Sequence, residues 1–244
     1  MMRGYPLAEG GAGVQVGEHP TWHVFGLTIN ADTVISTVIA AVIVVGCGLY
    51  LAANVTSGVP GRLQLIFETV TEQVERQVES ALGIRTAPFV VPLAISLFFF
   101  ILISNWLAIL PHAWEEYVRP PTSDVNLTFA LALLVMIMVW ATGIRVKGKK
   151  YFKHFIEPYP ILLPLTIIEE LVKPVTLALR LFGNILAGTV MVSVLALMPA
   201  AVLWLPTSAW KLFDLFIGLL QALIFALLTI LYFGFAAGRE EGGH

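Results

Sequence analysis

Charge is what this sequence has least of. Only 12% of its 244 residues are Asp, Glu, Lys or Arg, against 58% hydrophobic, and the mean hydropathy is +0.86. Soluble domains carry roughly 25% charged residues, so the composition excludes one and indicates an integral membrane protein with small extramembrane parts. A net charge of −2 gives no footing for a nucleic-acid partner. Cysteine is nearly absent as well. Cys47 stands alone, which rules out an intramolecular disulfide, and its apolar surroundings read as those of a small core residue. The sequence has no Walker loop, no H-E-x-x-H, no G-x-S-x-G and no Cys/His cluster, so neither a hydrolytic site nor a metal or cofactor is expected. His19 and His23 are four apart, but Pro20 separates them. Two glycosylation sequons, Asn54-Val-Thr56 and Asn126-Leu-Thr128, border apolar runs and read as chance. The stretch from Met1 to Thr28 is polar, with Arg3 as its single basic residue, and lacks the layout of a signal peptide.

What is present is a succession of long apolar runs. Residues 33–53 carry no charge and are long enough to cross ~30 Å of hydrocarbon as a helix. After a break at Gly58, Pro60 and Gly61, residues 62–82 change pattern. Leu63, Ile66, Phe67, Val70, Val74, Val78 and Leu82 recur at helical spacing, opposite Glu68, Glu72, Glu75, Arg76 and Glu79. This predicts an amphipathic helix at the membrane interface. Its acidic polar face differs from the basic face of lipid-surface helices, so protein contacts are expected to support it. Residues 87–110 and 125–144 form the second and third uncharged runs, and a basic loop (Arg145, Lys147, Lys149, Lys150, Lys153) follows. Residues 166–198 predict a helix of ~50 Å, longer than the hydrocarbon is thick, with a possible bend at Pro174. A turn marked by Pro199 and Pro206 leads to a last helix over 208–237. The expected fold is an all-α polytopic membrane protein forming a single membrane domain. It has about five membrane-embedded helices plus the interfacial amphipathic one, the last two long and strongly tilted as a hairpin. With residues 1–30 as an outer tail, the inner segments hold nine Lys and Arg residues and the outer segments three. That asymmetry favours the N-terminus outside and the C-terminus inside.

The most telling polar residue is Arg180, inside an apolar stretch. A guanidinium at bilayer depth costs about 2.5–3.5 kcal/mol on insertion scales, and with a pKa above about 12 it cannot give up its proton. At 100° per residue, Glu169, Lys173, Thr176 and Asn184 all fall within about 40° of Arg180 on one helical stripe. Gly183 and Ala187 border the stripe, offering another helix a close approach. The simplest alternative is an internal ion pair between Arg180 and Glu169 or Glu170. On the final helix Asp214, Gly218, Gln221 and Phe225 share a face. Gln221 needs a partner within protein, met most simply by an interhelical hydrogen bond. Asp214 reads either as a cap, within reach of Lys211, or as a working group. With the N-terminus outside, Glu169, Glu170 and Lys173 approach Arg180 from the inner side. Asp214, Asp124, Asn105 and His112 lie on the outer side. That layout suits two half-channels separated by a fixed charge.

Leu177-Ala-Leu-Arg180-Leu-Phe-Gly-Asn184-Ile-Leu-Ala-Gly188, with Lys173-Pro174 before it, resembles subunit a of bacterial F-type ATP synthases. So does Leu220-Gln221-Ala-Leu-Ile-Phe225-Ala-Leu-Leu-Thr-Ile. Pro121-Thr-Ser-Asp124-Val-Asn126-Leu-Thr128 and Asn105-Trp-Leu-Ala-Ile-Leu-Pro111 fit the earlier spans of that family. The resemblance implies a non-catalytic, proton-conducting stator subunit in the bacterial cell (inner) membrane. Its implied partners are a rotating ring of c-subunits, the b-type subunits of a peripheral stalk, and the lipid bilayer. It also implies that Arg180 meets the carboxylic acid of each passing c-subunit, lowers its pKa, and blocks leakage between the half-channels. The implied proton path draws on Asn184, Gln221, Asp214, Glu169, Glu170, Lys173, Thr176, Thr189, Asn105 and Asp124. The sequence departs from the enterobacterial pattern at four places. Thr189 and Thr166 stand where that pattern has glutamates, Asp214 where it has a histidine, and Ala108 where it has an aspartate. The ends of the route are therefore expected to run through Asp214 on one side and Glu169 or Glu170 on the other. A stand-alone proton- or anion-coupled secondary transporter is the alternative, and the inverted repeats that would favour it are absent from the sequence.

Overall fold

The computed structural model describes residues 21–24, 27–55, 60–107, 120–148, 151 and 163–237. The segment around His112, Ala108 and most of the basic loop lie outside the described residues. Strands β1 (Thr21–Val24) and β2 (Leu27–Asn30) pair antiparallel, with Thr21 opposite Asn30. This small hairpin occupies part of what the sequence presents as an irregular tail. Everything else of substance among the described residues is helix, as the apolar runs lead one to expect. Helix α1 (Ala31–Asn54) follows β2 directly. It buries a narrow face, Asp32, Ser36 and Ala40, and leaves Val38, Val42, Val45 and Leu49 exposed. In a bilayer that exposure costs nothing, because lipid tails solvate such side chains.

Helix α2 (Arg62–Ala81) is the amphipathic one. Only part of its predicted apolar stripe is covered. Val74, Val78 and Leu82 are buried, whereas Leu63 and Ile66 are 54% and 53% exposed. The reason lies in the packing. Ala81 sits against Gly234 of the last helix, Phe67 stacks on Phe99 with ring centroids 4.1 Å apart, and Gln64 is buried, so α2 packs along a face through Gln64, Phe67, Val74 and Val78 that leaves Leu63 and Ile66 to its side. Gly83, at φ +78°, closes the helix by donating to the Val78 carbonyl, a conformation that favours glycine.

Helix α3 (Val90–Trp106) is a shorter apolar helix in the centre of the fold, packed most extensively on the last helix. Asp124 caps helix α4 (Val125–Lys147), its carboxylate accepting from the Asn126 amide at 2.8 Å. Thr128, Ala132, Val135, Met136 and Val139 form the buried face of α4 at the 3–4-residue spacing of a helix. Beyond its end the ring of Tyr151 fills the space a Cβ would need at Gly143. Burial, reinforced by the Glu170 carboxylate, pushes the Tyr151 hydroxyl up to about 12, so it is neutral at physiological pH.

Helices α5 (Leu163–Leu195) and α6 (Ala200–Ala237) form the closing hairpin. Helix α5 runs through Pro174 without interruption. Helix α6 begins at Ala200, eight residues before the sequence-based start at 208, with Pro206 inside it. The carbonyl of Pro199 accepts from the amides of Val202 and Leu203, so Pro199 opens the helix. Pro206 forfeits one backbone bond near that end. Among the described residues four helices are long and apolar enough to cross a membrane: Ala31–Asn54, Val125–Lys147, Pro164–Leu195 and Val202–Ala237. With α3 they make a multi-pass membrane protein.

Candidate functional site

Helix α5 has two faces of opposite character. Pro174, Leu177, Ala178, Leu181, Ile185 and Gly188 recur every three or four residues and are buried, against α4 and α6. Glu169, Thr176, Arg180, Ala187 and Thr189 are exposed, with Lys173, Gly183 and Asn184 at the border. The stripe exists, but the fold turns it away from the other helices of this chain. Among the described residues Arg180 has neither a hydrogen bond nor an ion pair. A Cβ on Gly183 beside it would meet no atom within 4 Å, so the surface next to the guanidinium is open and smooth. The internal ion pair with Glu169 or Glu170 does not form.

Those two glutamates are instead paired with Lys173. Its ammonium bonds Glu170 closely and stands 3.8 Å from Glu169. Glu170 also accepts from the indole N–H of Trp140 on α4 at 3.1 Å. Lys173 lies over the ring of Tyr232 on α6, 5.9 Å from its centroid, a favourable placement for a cation. The Tyr232 hydroxyl is within electrostatic reach of Lys173, Arg180 and Glu170. Thr176 and Thr189 donate into carbonyls of their own helix, Thr176 to Val172 and Lys173 and Thr189 to Ile185, all at 3.0 Å.

A second polar group gathers near the opposite end of α5. Asp214 on α6 faces Gly188, where a Cβ would stand 3.2 Å from its Oδ1. Lys211 acts on Asp214 through its charge, but no salt bridge joins them. One turn along α6, the Asn105 amide donates to the Gly218 carbonyl at 3.2 Å and accepts from the Thr122 hydroxyl at 2.9 Å. Trp106 donates to the Leu215 carbonyl at 3.4 Å. Asp124, besides capping α4, accepts from Asn30 at 2.6 Å and Thr33 at 2.9 Å. Asn105 and Asp124 thus hold α1, α3, α4 and α6 together at this end.

Between the two groups lie Asn184 and Gln221. Each has a buried side-chain nitrogen with no hydrogen-bond partner, a state that protein interiors rarely tolerate without water or another chain to complete it. Sequence reasoning missed Trp140 and Tyr232, although a Trp and a Tyr near the charged end of apolar helices are residues whose polar tips seek partners. It put Gly218 on the Asp214 face but did not foresee that Gly188 meets Asp214 and Gly218 meets Asn105; glycine inside an apolar helix signals close approach.

Residues 34–234 match the sequence profile of the family described as ATP synthase A chain. A protein of Acidothermus cellulolyticus named ATP synthase subunit a is 51% identical over 232 residues, covering 95% of this chain and 85% of its own length. Proteins of the same name from Mycobacterium marinum and Mycobacterium leprae are 48% and 44% identical. They cover 96% and 95% of this chain, and 97% and 96% of their own lengths.

Proposed function

The chain belongs to the ATP synthase A chain family, and from that premise we propose that it is the proton-translocating stator subunit of the membrane sector of an F-type ATP synthase. In this reading two offset half-channels serve carboxylates on a ring of c-subunits, with Arg180 as the electrostatic barrier between them. The observation that carries the proposal is the outward-facing Arg180, unpaired among the described residues and flanked by the open surface at Gly183. A charge kept at membrane depth without a partner in its own chain calls for one from outside. A carboxylate brought to 4 Å of the guanidinium would gain about 4 kcal/mol at an effective dielectric of 20, equivalent to roughly three pKa units. That is enough to strip its proton on approach and to require a new one on departure.

The path runs through the two polar groups. On the Asp214 side, Asp214 and the unmet amides of Gln221 and Asn184 lead toward Arg180, framed by Asn105 and Asp124, with Thr189 on the outward face. On the other side, Thr176 leads away from it toward Glu169 or Glu170, the two carboxylates that Lys173 pairs with. Each charge moved across the membrane gains ~2.3 kcal/mol per 100 mV, which the ring turns into rotation. The lengths of α5 and α6, about 50 and 57 Å at 1.5 Å per residue, exceed the ~30 Å of hydrocarbon. Tilts of roughly 50–60° would keep them embedded and lay the Arg180 face along a ring. The b-type stalk subunits and lipid would cover the apolar face of α1. The basic residues near the α4–α5 connection support a cytoplasmic location for that side, with the N-terminus outside.

The test is Arg180→Ala in the intact complex. ATP-driven acidification of inverted membrane vesicles should be lost while the complex still assembles; normal pumping would refute the reading.

A further inference from the structure

The two adjacent glutamates on α5 are not equivalent. The Glu170 side chain is 20% exposed and held on three sides, by Lys173 on its own helix, by Trp140 on α4, and through Lys173 by the Tyr232 ring on α6. The Glu169 side chain is 69% exposed, and among the described residues its polar contact is the looser 3.8 Å approach to Lys173. Glu169 also lies about 20° from Arg180 around the helix, on the outward face, whereas Glu170 lies about 80° away, toward α4 and α6. A relay must take up and release a proton, so it needs access and freedom to reorient. A carboxylate already bonded to an ammonium and an indole has neither.

We propose that Glu169 is the carboxylate that exchanges protons on the basic-loop side of Arg180, and that Glu170 is a positioning residue. Its role is to draw the Lys173 ammonium against Trp140 and Tyr232, so that Lys173 does not close onto Glu169. The proton moves from the outward face of α5 to a Glu169 carboxylate oxygen and from there to water, restoring the carboxylate. The charged and titratable groups around this step are Lys173 and Glu170 on α5, Tyr232 on α6, and Tyr151 beyond the end of α4, with Trp140 on α4 as a neutral donor. The inference rests on the stator reading and sharpens its release path.

The experiment measures passive proton flow and ATP-driven pumping in inverted vesicles carrying the whole complex, with subunit content checked for each variant. Glu169→Gln, at an exposed position, should leave assembly intact and lower proton flow about a hundredfold, the lower end for loss of a proton-transfer group, and Glu169→Asp should restore most of it. Glu170→Gln releases Lys173 onto Glu169 and should lower flow by about two- to fivefold, as an exposed ion pair allows. Trp140→Phe should do the same to a lesser degree. The decisive variant is Glu170→Gln with Lys173→Gln, which removes the competing charge and should recover flow. A purely structural Glu170 would give no such recovery. The inference is overturned if Glu169→Gln conducts normally, or if the double variant conducts no better than Glu170→Gln. Arg180→Ala separates the two levels. If it blocks pumping while Glu169→Gln does not, only this inference fails; if it pumps normally, the stator reading fails with it.

Discussion

Placing a methyl group at Gly218 would test how the polar end of the site is held. A Cβ there would stand 3.0 Å from the Asn105 Cβ, 3.8 Å from its Cγ and 3.7 Å from its amide nitrogen. Carbons meet comfortably at about 3.5–4.0 Å, and the atom struck is a Cβ fixed to the α3 backbone, so it cannot swing aside. In Gly218→Ala the helices must part by roughly 0.5–1 Å, at an overpacking cost of about 1–3 kcal/mol. The Asn105–Gly218 hydrogen bond, already 3.2 Å long, would then break. Leaving a buried amide and carbonyl unmet adds about 1–3 kcal/mol. Release of the chain from the purified complex, followed against denaturant in mild detergent, should shift by about 2–6 kcal/mol. Asn105→Ala keeps the Cβ and should not relieve the clash. Asn105→Gly removes it and should recover the steric part, less about 1 kcal/mol for glycine in a helix. Wild-type stability in Gly218→Ala, or equal rescue by both partner changes, would refute the reasoning.

Two further outcomes follow from the same end of the molecule. Asp214→Asn should slow proton uptake from the Asp214 side, because the carboxylate faces Gly188 and leads toward Gln221; proton flow unchanged between pH 5 and 8 would reduce Asp214 to a structural group. Asp124→Ala removes the α4 cap, worth about 1 kcal/mol. It also leaves Asn30 and Thr33 without their acceptor, so the total loss should reach about 2–4 kcal/mol, measured by denaturation of the complex, while Arg180-dependent pumping survives in the assembled fraction.

The stripe through Glu169, Lys173, Thr176, Arg180 and Asn184 was legible in the sequence because helical periodicity alone puts those residues on one face. Which way the face looks was not. Gly183 and Ala187 marked the face as one for another helix to approach, but periodicity does not say which of the chain's own elements stand behind it. The polar cluster around Lys173 was half legible. Lys173 and the glutamates stood out as charges among apolar residues, while Trp140 and Tyr232 did not. They meet Glu170 and Lys173 only through the packing of α4 and α6 on α5. The facing of Asp214 and Gly188 depends on the register of an antiparallel hairpin, set by the short turn at residues 196–199, which no periodicity reveals. The early start of α6 escaped for a related reason. Pro206 reads as a breaker, yet near a helix start a proline forfeits little.

The two-faced character of α5 has a mechanical meaning. If a carboxylate at 4 Å pulls on Arg180 in a medium of effective dielectric 20, the force between them is roughly 70 pN, about 1 kcal/mol per Å. By reaction the same load falls on α5 at every passage. It is met from behind by Leu177, Ala178, Leu181 and Ile185, seated against α4 and α6. Helix α6 in turn lies against α3 at Gly218 and against α2 at Gly234, too close to admit another methyl group. A glycine contact leaves no slack for a side chain to take up. The residues that look least chemical in this chain are its bearing surface, and the stiffness of that stack sets how much of each pull becomes motion of the partner rather than recoil of the arginine.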